Sequence, residues 1–261
     1  MMTDAKLILG DCREKMREME SDSVDMIFTD PPYGHNNNDG DLAHNREKAL
    51  GHELTGAKAE DARPILNDSP KEAEIVFKGF LKEAKRVLVP GGCCCCCCCG
   101  GGGPDPQFAR WSLWLDAEIP FKHAIVWDKG GLGMGWHYRR NYEFVLVAQK
   151  QGAACKWYDE TNSVPNIIKG IRKIIPSQAQ HPTEKPFELA AWFIRLHSRE
   201  GEIVLDPFMG SGSTGVAALR LGRNFMGIEL DEKYYRMAEA RIRNWKGQTR
   251  LNEATGGDLD G

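Results

Sequence analysis

Two short motifs carry the residue types from which a reaction could be built, and the first is Asp30-Pro31-Pro32-Tyr33. It follows the apolar run 24–29, and a run that ends at Pro-Pro is typical of a buried strand that stops abruptly, because proline donates no hydrogen bond to a sheet. Open α/β sheets bind ligands at the carboxyl ends of their strands. A flat ligand could donate from its amino group to Asp30 and to the Pro31 carbonyl while it stacks on Tyr33. An ordinary proline turn explains the tetrapeptide alone equally well.

The second motif extends from Asp206 to Gly215, between a predicted strand and a predicted helix, and contains G-x-G-x-x-G. Glu229 stands nineteen residues beyond Gly210, at the end of the next predicted strand. Glycines let a backbone approach a ligand closely, and an acidic group in this place accepts hydrogen bonds from ribose hydroxyls. The pattern therefore predicts a nucleoside site, whereas the glycines alone would also fit a tight strand–helix turn.

The nucleoside has two candidate identities. A nicotinamide-dependent dehydrogenase shares the glycine fingerprint, but only about thirty residues follow Glu229, fewer than the second βαβαβ half of that fold requires. Asp206 would also lie unfavourably close to a bound pyrophosphate. A carboxylate in this position suits a cationic ligand, such as the ammonium and sulfonium of S-adenosylmethionine.

The elements that must position these motifs alternate between strands and helices. Ser69-Pro70-Lys71-Glu72 has the form of a capping box at the start of a helix, and Pro90-Gly91-Gly92 is expected to end that helix before the next strand. Helical spacing of apolar residues predicts amphipathic helices between the strands. The predicted strands cover residues 6–9, 24–29, 93–99, 124–127, 143–147, 203–205 and 224–228.

The length of 261 residues favours a single domain. We place it at residues 1–246, with a mobile loop expected at 34–66, a short target-recognition region at 149–180 and a flexible tail at 247–261. The net charge of −3 gives no general attraction for nucleic acid, so any such contact must come from local basic residues. No signal peptide or run of roughly 20 apolar residues is present, and we expect a cytoplasmic protein that does not bind membranes.

Seven of the nine cysteines form one uninterrupted run, Cys93–Cys99. Neighbouring side chains of a strand point to opposite faces, and the run would span roughly 23 Å at about 3.3 Å per residue. These thiols cannot converge on one metal ion, and reduced cysteine packs as a small hydrophobic residue. We therefore expect a core strand and no metal site, and Cys12 and Cys155 by themselves indicate nothing.

Three motifs in order give the chain its resemblance to the β-type amino-group DNA methyltransferases, in which the catalytic motif precedes the cofactor motif. They are Asp30–Tyr33, His181-Pro182-Thr183-Glu184-Lys185-Pro186 and Asp206–Gly212, and the likeness extends from Leu7 to about Trp245. It implies an α/β, Rossmann-like S-adenosylmethionine-dependent methyltransferase fold. The fold would be circularly permuted, with a mostly parallel seven-stranded sheet and helices on both faces. The strands that end at Asp206 and Glu229 would be first and second in the usual order, and those that end at Asp11 and Asp30 would be third and fourth. The short region at 149–180 departs from the family, which usually reads its DNA sequence there.

The resemblance also implies roles for individual residues. Asp30, Pro31, Pro32 and Tyr33 would form the catalytic site. Asp206 and Phe208 would hold the methionine part of the cofactor, Glu229 its ribose, and Thr183 and Lys185 its carboxylate. The remaining cofactor-binding residues would be Asp11, Cys12, Gly210, Ser211 and Gly212. From their charge alone, the expected phosphate contacts are Arg139, Arg140, Lys169, Arg172 and Lys173.

The expected reaction is methylation of N6 of adenine in double-stranded DNA, with N4 of cytosine as the alternative. The resemblance associates Asp in the first position of the tetrapeptide with adenine and Ser with cytosine. Methylation of cytosine C5 needs a cysteine nucleophile, typically after proline, and the chain has no Pro-Cys pair. An RNA methyltransferase, a dehydrogenase and a non-catalytic module remain as alternatives. The sequence leaves open the recognition site, a homodimer and a cognate restriction endonuclease.

Overall fold

A computed structural model describes residues 3–35, 65–98, 107–131, 140–174 and 184–255. The strands are β1 (Ala5–Leu9), β2 (Val24–Thr29), β3 (Leu88–Cys98), β4 (Phe121–Asp128), β5 (Tyr142–Gln149), β6 (Ile167–Ile168), β7 (Ile203–Asp206) and β8 (Asn224–Glu229). The helices are α1 (Cys12–Arg17), α2 (Pro70–Val87), α3 (Gln107–Glu118), α4 (Phe187–His197), α5 (Ser213–Arg220) and α6 (Glu232–Thr255).

The strands form one sheet in the order β1-β8-β7-β2-β3-β5-β4-β6. β1, β8, β7, β2 and β3 are parallel to one another, and β5 lies antiparallel between β3 and β4. The carboxyl ends of β1, β8, β7 and β2 therefore meet at one edge, and they lead into Asp11, Glu229, Asp206 and Asp30. The predicted permuted order is confirmed. The sheet has one strand more than the seven predicted, because the two-residue β6 pairs with β4.

Helices cover both faces of the sheet, as predicted. The core on one face contains residues of α4, α5 and α6, and the core on the other face contains residues of α1, α2 and α3. The cysteine strand supplies both cores: Cys93, Cys95 and Cys97 face one, and Cys94, Cys96 and Cys98 face the other. The interpretation of the run as a core strand is confirmed for Cys93–Cys98, and Cys99 lies outside the described residues.

The helix α2 ends at Val87, before Pro90-Gly91-Gly92, as predicted, but the next strand begins at Leu88 and not at Cys93. Pro90-Gly91-Gly92 lies inside β3, where the pairing with β2 shifts its register between Val24 and Met26. Gly91 donates its N–H to the Lys150 carbonyl at 2.9 Å, and the Lys150 N–H donates to Gly92 at 3.0 Å. A Cβ on Gly91 would lie 2.2 Å from the Ala154 carbonyl oxygen, so glycine permits a bulge inside the strand.

The helix boundaries agree with the sequence except at the last helix. The capping box is present, because Ser69 Oγ accepts from the Glu72 N–H at 3.3 Å and the Glu72 carboxylate accepts from the Ser69 N–H at 3.3 Å. α6 continues to Thr255, so residues 247–255 of the predicted tail are helical. Strong helix formers after Gly247 outweigh the cost of that glycine.

Most of the predicted loop at 34–66 lies outside the described residues, as do 256–261. Between 149 and 174 the chain is irregular apart from β6. No helix in the described ranges is both long and apolar enough to cross a membrane.

Candidate active site

A cleft of about 280 Å³ lies at the edge of the sheet where β1, β8, β7 and β2 end. Both chemical motifs contribute to its walls, because the parallel strands bring their carboxyl ends together. The predicted site residues that line it are Asp11, Cys12, Asp30, Pro31, Pro32, Tyr33, Lys185, Asp206, Phe208, Gly210, Ser211 and Glu229, together with Arg140 and Lys173.

The tetrapeptide after β2 carries a hydrogen-bonded trio. The Tyr33 hydroxyl donates to Oδ1 of Asp30, and Lys185 Nζ donates to Oδ2 of Asp30 at 2.6 Å. The same Nζ lies 3.2 Å from the Tyr33 oxygen and 5.1 Å from the centre of its ring. Lys185, which the resemblance places near the methionine carboxylate, thus contacts the proposed catalytic carboxylate in this structure.

The trio belongs to a longer chain of buried charges that includes Glu143 and Lys129. Glu143 Oε1 accepts from Lys129 Nζ at 3.1 Å, and Glu143 Oε2 lies 3.4 Å from Lys185 Nζ. Lys185 therefore stands between two carboxylates. Glu143 Oε2 is buried without a hydrogen bond from any described residue, so it is an open acceptor on the wall of the cleft.

The network changes the ionisation of its members. Burial raises the pKa of Asp30, although Lys185 and the Tyr33 hydroxyl act in the opposite direction. Burial alone would lower the pKa of Lys185, but the carboxylates of Asp30 and Glu143 outweigh it and raise that pKa. Burial likewise opposes ionisation of Glu143, yet Lys185 and Lys129 hold its pKa below the usual value.

The second motif supplies two carboxylates of a different character, a buried Asp206 and a partly buried Glu229. Burial raises the pKa of Asp206 to about 6, despite the hydrogen bonds that it accepts from Thr214, from Thr29 and from the Phe208 N–H. Burial also raises the pKa of Glu229 to about 7. Its only described hydrogen-bond partners are the backbone N–H groups of Asp231 and Gly210, each at 2.8 Å. Among the residues that the structure describes, no cation forms an ion pair with either carboxylate.

The two motifs are joined by a direct bond between neighbouring strands. Thr29, the last residue of β2, donates its hydroxyl to Asp206 Oδ1 at 2.7 Å, and both residues are buried. The glycine loop after β7 folds closely against its surroundings. Gly212 has φ +80°, and a Cβ on Gly215 would lie 2.7 Å from the Phe225 ring. These glycines therefore allow close packing of the loop and helix against their neighbours, as a tight strand–helix turn requires.

Asp11, at the end of β1, is engaged within its own segment. It caps α1 by accepting from the Arg13 N–H at 2.8 Å, and it pairs with the Arg13 guanidinium. That hydrogen bond with the guanidinium lowers the pKa of Asp11. The neighbouring Cys12 thiol is buried, and burial raises its pKa. Both residues line the cleft, but the Asp11 carboxylate already has a partner.

Sequence reasoning missed several residues of the site. Arg241 of α6 donates to Glu184 Oε1 at 2.6 Å and to Ser211 Oγ at 3.2 Å, and so ties the segment before α4 to the glycine loop. Glu143 and Lys129 were also missed. Lys129 lies in Trp127-Asp128-Lys129 and Glu143 in Arg140-Asn141-Tyr142-Glu143. Both segments are similar to segments around the later strands of the family, and this similarity was the one signal that the sequence offered. Of the predicted residues, Gly212, Lys169 and Arg172 do not line the cleft, and Thr183 and Arg139 lie outside the described residues.

One curated relative matches nearly the full length of the chain. Type II methyltransferase M2.DpnII of Streptococcus pneumoniae is 27% identical over 251 residues, which covers 90% of this chain and 88% of the relative. Type II methyltransferase M.HinfI of Haemophilus influenzae is 28% identical over 263 residues, covering 92% and 68%.

Solved structures share the fold. The cytosine-N4-specific PvuII DNA methyltransferase has a TM-score of 0.68 at 16% identity, with 95% of this chain and 93% of that chain covered. A methyltransferase fold of this kind therefore occurs in a cytosine-N4 enzyme, so the fold by itself does not select the target atom.

The decisive comparison is with a whole family. The sequence profile of N6/N4 DNA methylases matches residues 24–240, a range that contains the tetrapeptide, the glycine loop and Glu229. The match excludes a dehydrogenase and confirms the predicted enzyme class, and S-adenosylmethionine is the methyl donor of this class. The chain belongs to the N6/N4 family of DNA methylases, and it is a DNA methyltransferase.

Proposed function

We propose that the protein transfers a methyl group to N6 of adenine at specific sites in double-stranded DNA. The observation that carries this proposal is Asp30, which stands first in the tetrapeptide and lies on the wall of the cleft. The resemblance to the family associates Asp in this position with adenine. N4 of cytosine is the second candidate, because its amine offers the same two N–H groups to the same acceptors.

The cofactor half of the cleft suits S-adenosylmethionine. Asp206 is buried and Glu229 partly buried, and their raised pKa values, about 6 and about 7, reflect desolvation that no described cation offsets. A cationic ligand would favour their ionised forms. S-adenosylmethionine supplies an electrophilic methyl group on a sulfonium centre and also carries an ammonium group. We assign the methionine part to Asp206 and the ribose hydroxyls to Glu229.

The tetrapeptide is suited to an exocyclic amine, which is a poor nucleophile because its lone pair is delocalised into the ring. Hydrogen bonds from its two N–H groups to Asp30 and the Pro31 carbonyl favour a pyramidal nitrogen and orient the lone pair. Asp30 must be ionised to accept, and Lys185 favours that form at 2.6 Å. Holding the reacting atoms in line contributes several kcal/mol (order of magnitude only). The base must leave the helix to reach Asp30.

The assignment of the target atom can be tested by nucleoside mass spectrometry. DNA is methylated with isotopically labelled S-adenosylmethionine, digested, and analysed for labelled N6-methyladenine and N4-methylcytosine. We expect the label in N6-methyladenine alone, with none in DNA incubated with the Asp30→Ala protein. Label in N4-methylcytosine and not in N6-methyladenine would contradict the adenine assignment and leave the methyltransferase assignment intact.

Basic residues beside the cleft are proposed to contact DNA phosphates. Trp127, which lines the cleft, donates its indole N–H to the Ile171 carbonyl at 2.7 Å. This bond fixes the backbone next to Arg172 and Lys173, and Lys173 itself lines the cleft. Lys169 and Arg172 are exposed nearby.

Loss of one phosphate contact should flatten the salt dependence of DNA binding. For Lys169→Ala and Arg172→Ala we expect the slope of log K against log salt to fall by about 0.9 each, because each contact releases condensed counterions. The slope is measured by fluorescence anisotropy on one duplex. Lys82→Ala, an exposed lysine of α2 that does not line the cleft, should keep the native slope. Equal slopes for all variants would show that Lys169 and Arg172 do not contact DNA phosphates.

A further inference from the structure

A second cluster of reactive side chains lies away from the cleft. Cys93, Cys155 and His197 come from β3, from the segment after β5 and from the last position of α4. One potential ligand atom of each residue lies within 4.8 Å of the other two. Cys93 is paired with β2 at Met26, near the start of that strand, whereas Asp30 follows its end. The cluster is therefore at the edge of the sheet opposite to the active site.

We propose that Cys93, Cys155 and His197 form a binding site for a zinc ion. The separation of the two sulfurs is the first argument. They lie 3.7 Å apart, whereas a disulfide requires about 2.05 Å. Two thiolates bound to one tetrahedral zinc ion, each at about 2.3 Å, are separated by about 3.8 Å. The observed distance matches the metal geometry.

The hydrogen bond that His197 makes suits it as a zinc ligand. Its Nδ1 lies 3.0 Å from the Lys156 carbonyl oxygen, and a ring nitrogen in that place donates its proton to the carbonyl. The neutral tautomer then carries its lone pair on Nε2, the form that binds a metal ion. Histidine ligands of metal ions usually donate their other ring N–H to a carbonyl or carboxylate in this way.

The backbone around Cys155 is held in place on both sides. The Lys156 N–H donates to the Gly91 carbonyl at 3.0 Å, and the Tyr158 N–H donates to the Leu196 carbonyl at 2.9 Å. Lys156 Nζ pairs with Asp25 at 2.6 Å and also with Glu202. These bonds connect the segment to β3, α4 and β2 without using any of the three ligand atoms, so the geometry persists without a metal.

The chemistry of the ligands selects the ion. Thiolate and imidazole ligands suit zinc, whereas magnesium and calcium require oxygen ligands. Cys155 is exposed while Cys93 and His197 are buried, so the fourth position of a tetrahedral ion faces solvent and can hold water. Zinc with two thiolates is electrically neutral, which lowers the cost of partial burial.

Cobalt titration of the full chain tests the site. The protein is stripped of metal under reducing conditions and titrated with Co²⁺. We expect one Co²⁺ per chain, with a sulfur-to-cobalt charge-transfer band and the intense visible bands of a tetrahedral site, and displacement by one equivalent of Zn²⁺. Cys155→Ser should remove most of the charge-transfer band and weaken binding at least about a hundredfold, because even the loss of a supporting partner costs ten- to a hundredfold.

Cys95→Val is the matched control, because Cys95 lies in the same strand and faces the same core as Cys93 but has no cysteine or histidine partner among the clusters found in the described residues. It should keep the native spectrum and affinity. A native chain without the cobalt bands, a Cys155→Ser protein that binds equally well, or mass spectrometry showing a Cys93–Cys155 disulfide under reducing conditions would each overturn the proposal. The cobalt titration does not measure methyl transfer, so the result of the titration is independent of the proposed target atom.

Discussion

Asp30→Ala is expected to abolish methyl transfer, by roughly 10³-fold or more, while S-adenosylmethionine binds within a few-fold of the native affinity. The loss is large because Asp30 is proposed to accept from the reacting amine, and removal of one such preorganised partner typically costs about 10²–10³-fold in kcat. Cofactor affinity survives because Asp206 and Glu229 belong to the other motif. Turnover is measured with labelled cofactor, and binding by calorimetry.

Asp25→Ala provides a matched control for this result. Asp25 lies near the start of β2 and Asp30 directly follows its end. Each carboxylate pairs with a lysine at 2.6 Å, but Asp25 is at the opposite edge of the sheet. We expect its variant to retain turnover. Glu229→Ala is the complementary variant, and it should weaken cofactor binding directly. If Asp30→Ala lost cofactor affinity as severely as Glu229→Ala, the division of the cleft into two halves would be wrong.

The four acidic strand ends could be predicted because each one is marked locally. Each follows an apolar run, with proline directly after Asp30 and Asp206 and glycine directly before Asp11, and such residues indicate where a strand stops. The family resemblance then supplied the order in which the strands lie, and the structure confirms it through the pairing of β1 with β8, β8 with β7 and β7 with β2. Local signals and one resemblance were therefore sufficient to predict which acidic residues meet at this edge of the sheet.

Glu143 could not be found in that way, because it lies at the start of its strand. β5 is antiparallel to β3, so its first residues, and not its last ones, reach the edge that holds Asp30. Sequence patterns identify a strand but not its direction. The partner of Lys185 was hidden for a related reason, since Lys185 and Asp30 are 155 residues apart and no local pattern connects them.

The cysteine run also shows that a sequence pattern does not reveal contacts between distant parts of the chain. Neighbours in the run do point to opposite faces, so the conclusion that they cannot converge on one metal holds within the strand. It does not extend to Cys155 and His197, which reach Cys93 from a loop and a helix. Cys155 therefore indicates nothing in the sequence, and only the fold shows that it lies beside Cys93 and His197.

Lys185→Met is expected to move the acidic limb of the kcat–pH profile to higher pH. Lys185 lies between Asp30 and Glu143, and its removal leaves both carboxylates without the cation that separates them. Burial already raises the pKa of Asp30, and loss of an adjacent opposite charge raises it by a further one to three units or so. Asp30 must be ionised to accept from the amine, so turnover falls as the pH drops through this pKa.

At a pH below the shifted limb, the turnover of Lys185→Met is therefore expected to fall by about ten- to a thousandfold, and this loss should diminish as the pH is raised. Lys185→Arg, which keeps the positive charge, should restore much of the native profile. Lys129→Met is the matched control, because Lys129 is about as buried as Lys185, at 12% against 10% side-chain exposure, and contacts Glu143 but not Asp30. It should leave the limb near its native position. A loss of turnover of the same size at every pH, in a protein whose circular dichroism is native, would show that Lys185 supports the structure and does not control the ionisation of Asp30.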